Sequence, residues 1–315
     1  MPTVSAIIPT YNRAPLLVEA VDSALAQRRP PDEILVIDDG SRDDTAARMA
    51  AYGERVRYVR QANAGPSAAR NHGFRLARGE FLALLDSDDL WTPDRLERQL
   101  ELLQRHPDTD VVFGREVLFC AGQPDRDWNL HDPEVRRALL ETNGPLAGAL
   151  ALLIRENMVP TSTALFRRTL LERAGFIDES LRQAEDWDLW LRFALAGARF
   201  AHVPAPLCRR RMHDSNLIHD KGARMQATLA VLERHLPQLG DWRAAAEQRC
   251  SELAYDLGSL RFRDRRFGEA ARLLAQVRPG ARRPFVVGLK LRVARLLSGG
   301  AAVGAQREDQ PPPVS

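Results

Sequence analysis

Short apolar runs and helix-periodic segments alternate along the first part of the chain. Val4 to Pro9 is an apolar run of strand length, and Leu16, Leu17, Ala20, Val21, Ala24 and Leu25 then recur on one helical face. Pro30-Pro31 breaks the chain before a second apolar run, Glu33 to Ile37, which ends in Asp38-Asp39-Gly40-Ser41. Asp43 and Asp44 precede a helix through about Tyr52, where they serve as caps, and Val56 to Val59 reads as a third strand. A helix from Pro66 to Ala77 leads into a fourth strand, Phe81 to Leu85. This alternation predicts an α/β fold: a Rossmann-like, mixed but mostly parallel sheet flanked by helices.

Beyond Pro107 the pattern loosens. Asp110 to Phe119 reads as a strand, Gln123 to Pro133 as a loop, and the stretch to Arg155 as mainly helical. Thr161 to Arg167 returns to the sheet, Glu185 to Ala196 is an amphipathic helix, and Phe200 to Cys208 is a strand interrupted by Pro204 and Pro206. After Asn216 the strand signal vanishes, and Met225 to His235, Trp242 to Phe262 and Phe267 to Gln276 are helical. Ala254-Tyr255, Gly258, Phe262 and Arg266 to Ala270 together resemble one helix-turn-helix unit of a tetratricopeptide repeat. The expected organisation is an α/β domain over 1–218, an all-helical region over 219–300 and a disordered Pro-rich tail over 301–315.

Composition changes this picture little. The 315 residues are 44% apolar and 28% charged, as in soluble globular proteins. The longest apolar run, Leu146 to Ile154, is too short for a bilayer span of about 20 residues. The N-terminus enters a strand without a basic region or cleavage site, so no secretory signal is expected. Cys120, Cys208 and Cys250 lack metal spacing and are expected to stay reduced in a cytoplasmic setting. Charge matters more. Between Arg261 and Arg295 there are eleven Arg or Lys against Asp264 and Glu269, although the chain's net charge is only +3. Two readings fit: a solvated helix face, or a surface for peripheral contact with the inner membrane face. No nucleic-acid partner is expected.

The chemistry gathers at strand ends. Asp86-Ser87-Asp88-Asp89 closes the fourth apolar run, and unpaired buried carboxylates are expensive, so such a burst points to a ligand or metal. The competing reading is that Asp88 or Asp89 caps a helix beginning near Pro93, and Asp89 is expected to do so. Pro9-Thr10-Tyr11-Asn12-Arg13, Asp38 to Ser41, and Asn63-Ala64-Gly65 to Arg70-Asn71 follow the first three strands. In a doubly wound sheet these loops share one edge and can surround one crevice. An aromatic ring, acidic acceptors, an Arg and helix N-termini there suit base stacking, recognition of base and ribose donors, and phosphate binding.

These blocks, with Ile7-Ile8 before Pro9 and Glu185-Asp186-Trp187-Asp188 beyond them, resemble the family-2 glycosyltransferases of the GT-A fold over roughly residues 3 to 215. The resemblance implies an inverting transferase using a nucleoside-diphosphate sugar, a UDP-sugar above all, and a glycan or lipid-linked acceptor. It implies donor contacts from Pro9, Thr10, Tyr11, Arg13, Asp38, Asp39, Asn63, Gly65, Arg70, Asp86 and Ser87, with Tyr11 stacking on the base and Asp39 accepting from it. It further implies a divalent cation, Mn2+ or Mg2+, on Asp88 with Asp86 and His213. Asp186 would be the general base, with Glu185 as the fallback. Two other readings stay open: a non-catalytic nucleotide-sugar or glycan-binding module, and a nucleotidyltransferase. The latter is disfavoured because the first loop is neither Gly-rich nor basic. A dehydrogenase lacks its Gly-x-Gly-x-x-Gly.

Overall fold

The computed structural model describes residues 2–120, 122–127, 130–212, 221–278 and 284–305. The chain divides into two compact units, Met1–Asn216 and Leu217–Ser315. The first unit begins β1 (Val4–Thr10), α1 (Ala14–Leu25), β2 (Glu33–Asp38), α2 (Thr45–Ala50), β3 (Arg57–Arg60), α3 (Pro66–Leu76) and β4 (Phe81–Leu84). It continues with β5 (Leu90–Trp91), α4 (Arg95–Arg105), β6 (Val111–Phe119), β7 (Arg126–Asp127), α5 (Pro133–Glu141), β8 (Gly144–Pro145) and α6 (Ala149–Arg155). It ends with β9 (Leu165–Arg167), α7 (Leu170–Ala174), α8 (Glu185–Leu195) and β10 (Phe200–Arg211).

One sheet runs through this unit in the order β3-β2-β1-β4-β9-β6-β10-β5, with β7 on β6 and β8 on β10. β3, β2, β1 and β4 are mutually parallel, and β9 then enters antiparallel between β4 and β6. β6 and β10 are parallel to each other. Every residue of β1 is buried, as a central strand covered on both faces requires, and this is why it reads as a continuous apolar run. Helix α3 approaches that strand so closely that a Cβ on Gly73 would stand 2.6 Å from Ile7 Cγ2. Pro204 and Pro206 do not end β10. The strand absorbs them by shifting register between Val203 and Cys208, because proline offers no ladder N–H.

In the second unit α9 (Lys221–His235), α10 (Arg243–Arg263), α11 (Phe267–Ala275) and α12 (Pro284–Ala305) are the helices among the described residues. α10 and α11 form a helical hairpin. Arg265 turns the chain at φ 59°, Phe262 meets Phe267 edge-on at 5.5 Å, and Gly258 lets Leu274 close in. Residues 301–305, expected to begin a disordered tail, are helical, and 306–315 lie outside the described residues.

Two buried polar side chains hold the sheet half that carries the site. Arg95 is fully buried at the start of α4, its guanidinium donating to the Leu84 carbonyl at 3.1 Å, the Ala164 carbonyl at 2.9 Å and Gln99 Oε1 at 3.1 Å. It lies 3.9 Å from the centre of the Trp91 ring. Trp91 Nε1 donates to the carbonyls of Leu84 and Ser162, which fixes Leu90–Trp91 as an edge strand and delays the helix to Arg95. His202 on β10 is also fully buried, with Nδ1 3.2 Å from the Thr142 carbonyl. Burial pulls its pKa down from 6.5 to about 4.

Replacing Arg95 with Met should destabilise the fold by on the order of 3 kcal/mol, because the buried carbonyls of Leu84 and Ala164 each lose one of two donors and Gln99 Oε1 loses its Arg95 donor; urea unfolding of the variant measures this. His202 gives a pH signature. Between pH 6.5 and about 4 the unfolded chain takes up a proton that the folded chain excludes. Its contribution is therefore complete above pH 6.5 and is lost as pH falls, by roughly 3 kcal/mol at most. His202→Gln should flatten that part of the stability profile.

Candidate active site

The ends of β1 and β2 build one wall. Asn12 takes a left-handed conformation at φ 51°, accessible to Asn, and locks the two loops together. Its N–H donates to Ser41 Oγ at 2.9 Å, and its Oδ1 accepts from Arg42 N–H at 2.7 Å. Tyr11, beside it, is 44% exposed and available for stacking. Thr10 and Pro9 lie within buried β1, and Thr10 Oγ1 has no partner among the described residues.

The two acids at the end of β2 behave differently from each other. Asp38 is buried, with Oδ1 accepting from Ser41 N–H at 2.8 Å and Oδ2 from the Tyr58 hydroxyl. It forms the turn and leaves little for a ligand. Burial, reinforced by the adjacent Asp38 charge, raises the Tyr58 pKa. Asp39 accepts from Gln61 Nε2 at 2.8 Å, Ala64 N–H at 2.9 Å and Gly65 N–H at 2.8 Å. Asn63 Nδ2 donates to the Asp39 carbonyl at 2.9 Å. Asp39 thus anchors the start of α3, with roughly one of four acceptor positions left. Gly65 is required there: it precedes α3 at φ 94°.

Helix α3 carries Arg70 to the other acids. Its buried guanidinium donates to Asp86 Oδ1 at 2.6 Å and to Glu185 Oε1 at 3.1 Å. Burial alone would raise Asp86, but Arg70, with Arg210 and Arg13, holds its carboxyl below the usual range. Glu185 is shifted up by burial and by the charge of Asp186, against the pull of Arg70. Asp88 forms an ion pair with Arg13, and its carbonyl accepts from Arg211 Nε at 3.1 Å. Ser87 between them is buried.

Asp89 does not cap the following helix. Asp94 occupies that position, with its carboxylate 2.6 Å from Arg98 Nε. Asp89 is instead buried, accepting from Ser162 Oγ at 2.7 Å and Arg211 N–H at 3.1 Å. Burial, then the charges of Asp86 and Asp88, raise its pKa well above the usual carboxylate range.

Asp186 stands in the first turn of α8, which opens at Ala184 in a left-handed conformation, φ 60°. Its Oδ2 accepts from Thr161 Oγ1 at 2.7 Å, and its Oδ1 from Asn157 Nδ2 at 3.3 Å and Trp187 N–H at 2.7 Å. Asn157 and Thr161 escaped sequence reasoning. The signal for them was the run Thr161-Ser162-Thr163 after Pro160, three hydroxyls in a short 3-10 turn. Each hydroxyl serves a different partner. Thr161 donates to Asp186, Ser162 to Asp89, and Thr163 is shared between the Pro160 carbonyl at 2.9 Å and the Gly114 carbonyl at 3.2 Å. Glu116, also missed, is buried beside Arg210 at 3.1 Å. Burial moves its pKa up, and Arg210 counters that.

Asp86, Asp88, Glu185 and Asp186 therefore belong to one connected cluster, and Asp39 joins it through α3. Among the described residues, no group of three or more His, Cys, Asp or Glu is arranged to hold a metal ion. His213, the third expected ligand, lies outside the described residues.

Known proteins resemble this chain in sequence and in fold. An uncharacterized glycosyltransferase of Rickettsia typhi is 34% identical over 217 residues, covering 68% of this chain and 65% of the relative. The succinoglycan biosynthesis protein ExoO of Rhizobium meliloti is 34% identical over 208 residues, covering 65% of this chain and 59% of its own length. The matched region thus spans less than two thirds of either relative. Among solved structures, S. aureus TarS 1–349 in complex with UDP-GlcNAc superposes with a TM-score of 0.66 at 18% identity, covering 95% of this chain and 87% of that one. The mannosyltransferase PcManGT of Pyrobaculum calidifontis, in complex with GDP-Man and Mn2+, gives 0.60 at 23% identity, covering 96% and 81%. Both likenesses show the fold. Residues 5–175 match the glycosyl transferase family 2, a stretch holding the loops after β1, β2, β3 and β4 and stopping short of α8. With more than half its length in that match and its strand-end loops wound into the expected sheet, the chain belongs to glycosyl transferase family 2.

Proposed function

We propose that the protein transfers a sugar from a nucleoside-diphosphate sugar, a UDP-sugar above all, to a hydroxyl of a glycan or lipid-linked saccharide, inverting the anomeric carbon. The observation that carries this reading is the Arg70 bridge from Asp86 to Glu185, which joins the acidic loop after β4 to the helix bearing Asp186. Donor-side and acceptor-side groups are thereby held in one site.

Tyr11 stacks on the base, and the remaining acceptor position of Asp39 receives a base N–H. Asp186 is oriented for proton removal: Thr161, Asn157 and its own helix N-terminus fix the carboxylate. The acceptor oxygen attacks the anomeric carbon as its proton passes to Asp186, and the bond to the diphosphate breaks in line. Arg13 supplies a nearby cation for diphosphate oxygens.

The donor set also suits Mg2+ or Mn2+. Asp86 and Asp88 are hard oxygen ligands, and two carboxylates leave the remaining positions for diphosphate oxygens and water. When bound, such an ion offsets the charge gathering on the leaving diphosphate. PcManGT, captured with GDP-Man and Mn2+, supports this part of the reading.

A peripheral membrane contact through α12 fits a lipid-linked acceptor. No described helix is long and apolar enough to cross a membrane. Leu289, Leu296 and Leu297 are exposed on α12 together with Arg292 and Arg295, a mixture suited to an anionic lipid surface.

Transfer or hydrolysis of a panel of UDP-sugars and GDP-mannose, with added Mn2+, tests the chemistry. Asp186→Asn should lower kcat by about 10²- to 10⁴-fold while nucleotide binding persists. Asp88→Ala should abolish the metal-dependent part of the thermal stabilisation by nucleotide. Full activity in both variants would reject the assignment. For the membrane contact, the full chain should sediment with phosphatidylglycerol-containing vesicles and not with neutral ones; equal binding to both would discard it.

A further inference from the structure

A second brace, besides Arg70, joins the loop after β4 to the first turn of α8. It is the short turn Thr161–Thr163. Thr161 Oγ1 donates to Asp186 Oδ2 at 2.7 Å. The next Cα lies about 3.8 Å along the chain, and its side chain is bound to the acidic loop at two points. Ser162 Oγ accepts from Asp86 N–H at 3.1 Å and donates to Asp89 Oδ2 at 2.7 Å. Asp89 closes that loop, its N–H donating to the Asp86 carbonyl at 3.0 Å, and its Oδ1 ties the loop to β10 by accepting from Arg211 N–H at 3.1 Å.

The turn has little freedom of its own. Thr163 N–H and Thr163 Oγ1 both donate to the Pro160 carbonyl at 2.9 Å. Gln99 Nε2 holds the Thr163 carbonyl at 2.9 Å, and Trp91 Nε1 holds the Ser162 carbonyl at 3.1 Å. Ser162 and Asp89 are buried, so water does not compete for the bond between them. A carboxylate buried beside the charges of Asp86 and Asp88 is costly for the fold. Its presence there points to a role in the site, and the role its contacts describe is to hold the loop of Asp86 and Asp88 against the turn.

We propose that Ser162, working with Asp89, is a positioning residue that fixes the separation between the donor-side acids, Asp86 and Asp88, and the proton acceptor Asp186. The assignment rests on the glycosyltransfer reading and deepens it. In-line displacement puts the attacking hydroxyl and the departing diphosphate on opposite sides of the anomeric carbon, so the groups serving each side must keep one spacing. Arg70 links the two sides by charge, through the side chains of Asp86 and Glu185. Thr161 and Ser162 link the backbone of Asp86 to the carboxylate of Asp186 itself. Ser162 touches no reacting atom and acts through the loop it holds.

Steady-state kinetics and nucleotide binding on the full chain test this, with Mn2+ and whichever UDP-sugar or GDP-mannose the protein turns over. Ser162→Ala should lower kcat about 10- to 100-fold, while KM for the donor and the dissociation constants of UDP and GDP change by less than about threefold. Thr161→Val should do the same, and the double variant should fall little further than the worse single one, because both substitutions release one spacing. Thermal unfolding reports what each substitution costs the fold. Where Ser162→Ala does not fold, Asp89→Asn takes its place: it keeps the shape but has one acceptor oxygen for the two bonds from Ser162 and Arg211. An unchanged kcat in that variant, a loss confined to nucleotide binding, or losses that multiply in the double variant would overturn the spacing role alone. Protein that turns over none of these donors, or that is fully active as Asp186→Asn, would overturn the glycosyltransfer reading, and the spacing role with it.

Discussion

Arg70 is the contact on which the site depends. It is a buried guanidinium shared by Asp86, from the loop after β4, and Glu185, from the first turn of α8. A buried cation without anions would be intolerable, and two half-buried acids facing each other without a cation would be costly. Each partner therefore fixes the others, and motifs 115 residues apart in sequence become neighbours. The fork geometry of Arg, with separate nitrogens for each carboxylate, makes one side chain sufficient.

The support behind Arg70 is hierarchical. Asp39 collects two backbone N–H groups at the start of α3, so the helix carrying Arg70 is itself set by an acid at the end of β2. Arg95 fastens the end of β4 to Ala164, and the short turn at 161–163 then hands one hydroxyl to Asp186 and another to Asp89. Backbone carbonyls, hydroxyls and buried ions thus hold the carboxylates of the cluster, and a ligand need not organise them. In the proposed reaction, preorganisation of this kind would make Asp186 an effective proton acceptor.

Family membership and site geometry contribute different things. The family match covers the loops after β1 to β4 and ends before Asp186. Asn157 and Thr161, which hold Asp186, precede β9 in the half of the sheet where β9, β6 and β10 mix directions and where the sequence pattern was weakest.

The alternation of strands and helices through β4 was legible because those central strands are covered on both faces and must be apolar throughout. The acids at the strand ends were legible for the complementary reason, that charge at the end of a buried strand is costly without a partner. Nothing local announces the two-residue strands β5, β7 and β8, since so short a segment has no periodicity and exists only through its neighbour. Nor could sequence tell Asp38, spent on a turn, from Asp39, or show that Asp89 is buried against Ser162 instead of capping a helix. The order of elements and the identities of the candidate acids were set by hydrophobic period and solvation cost, which act along the chain. Which acid faces which cation was decided only by packing, because hydrogen-bond partners more than a hundred residues apart are chosen by three-dimensional proximity.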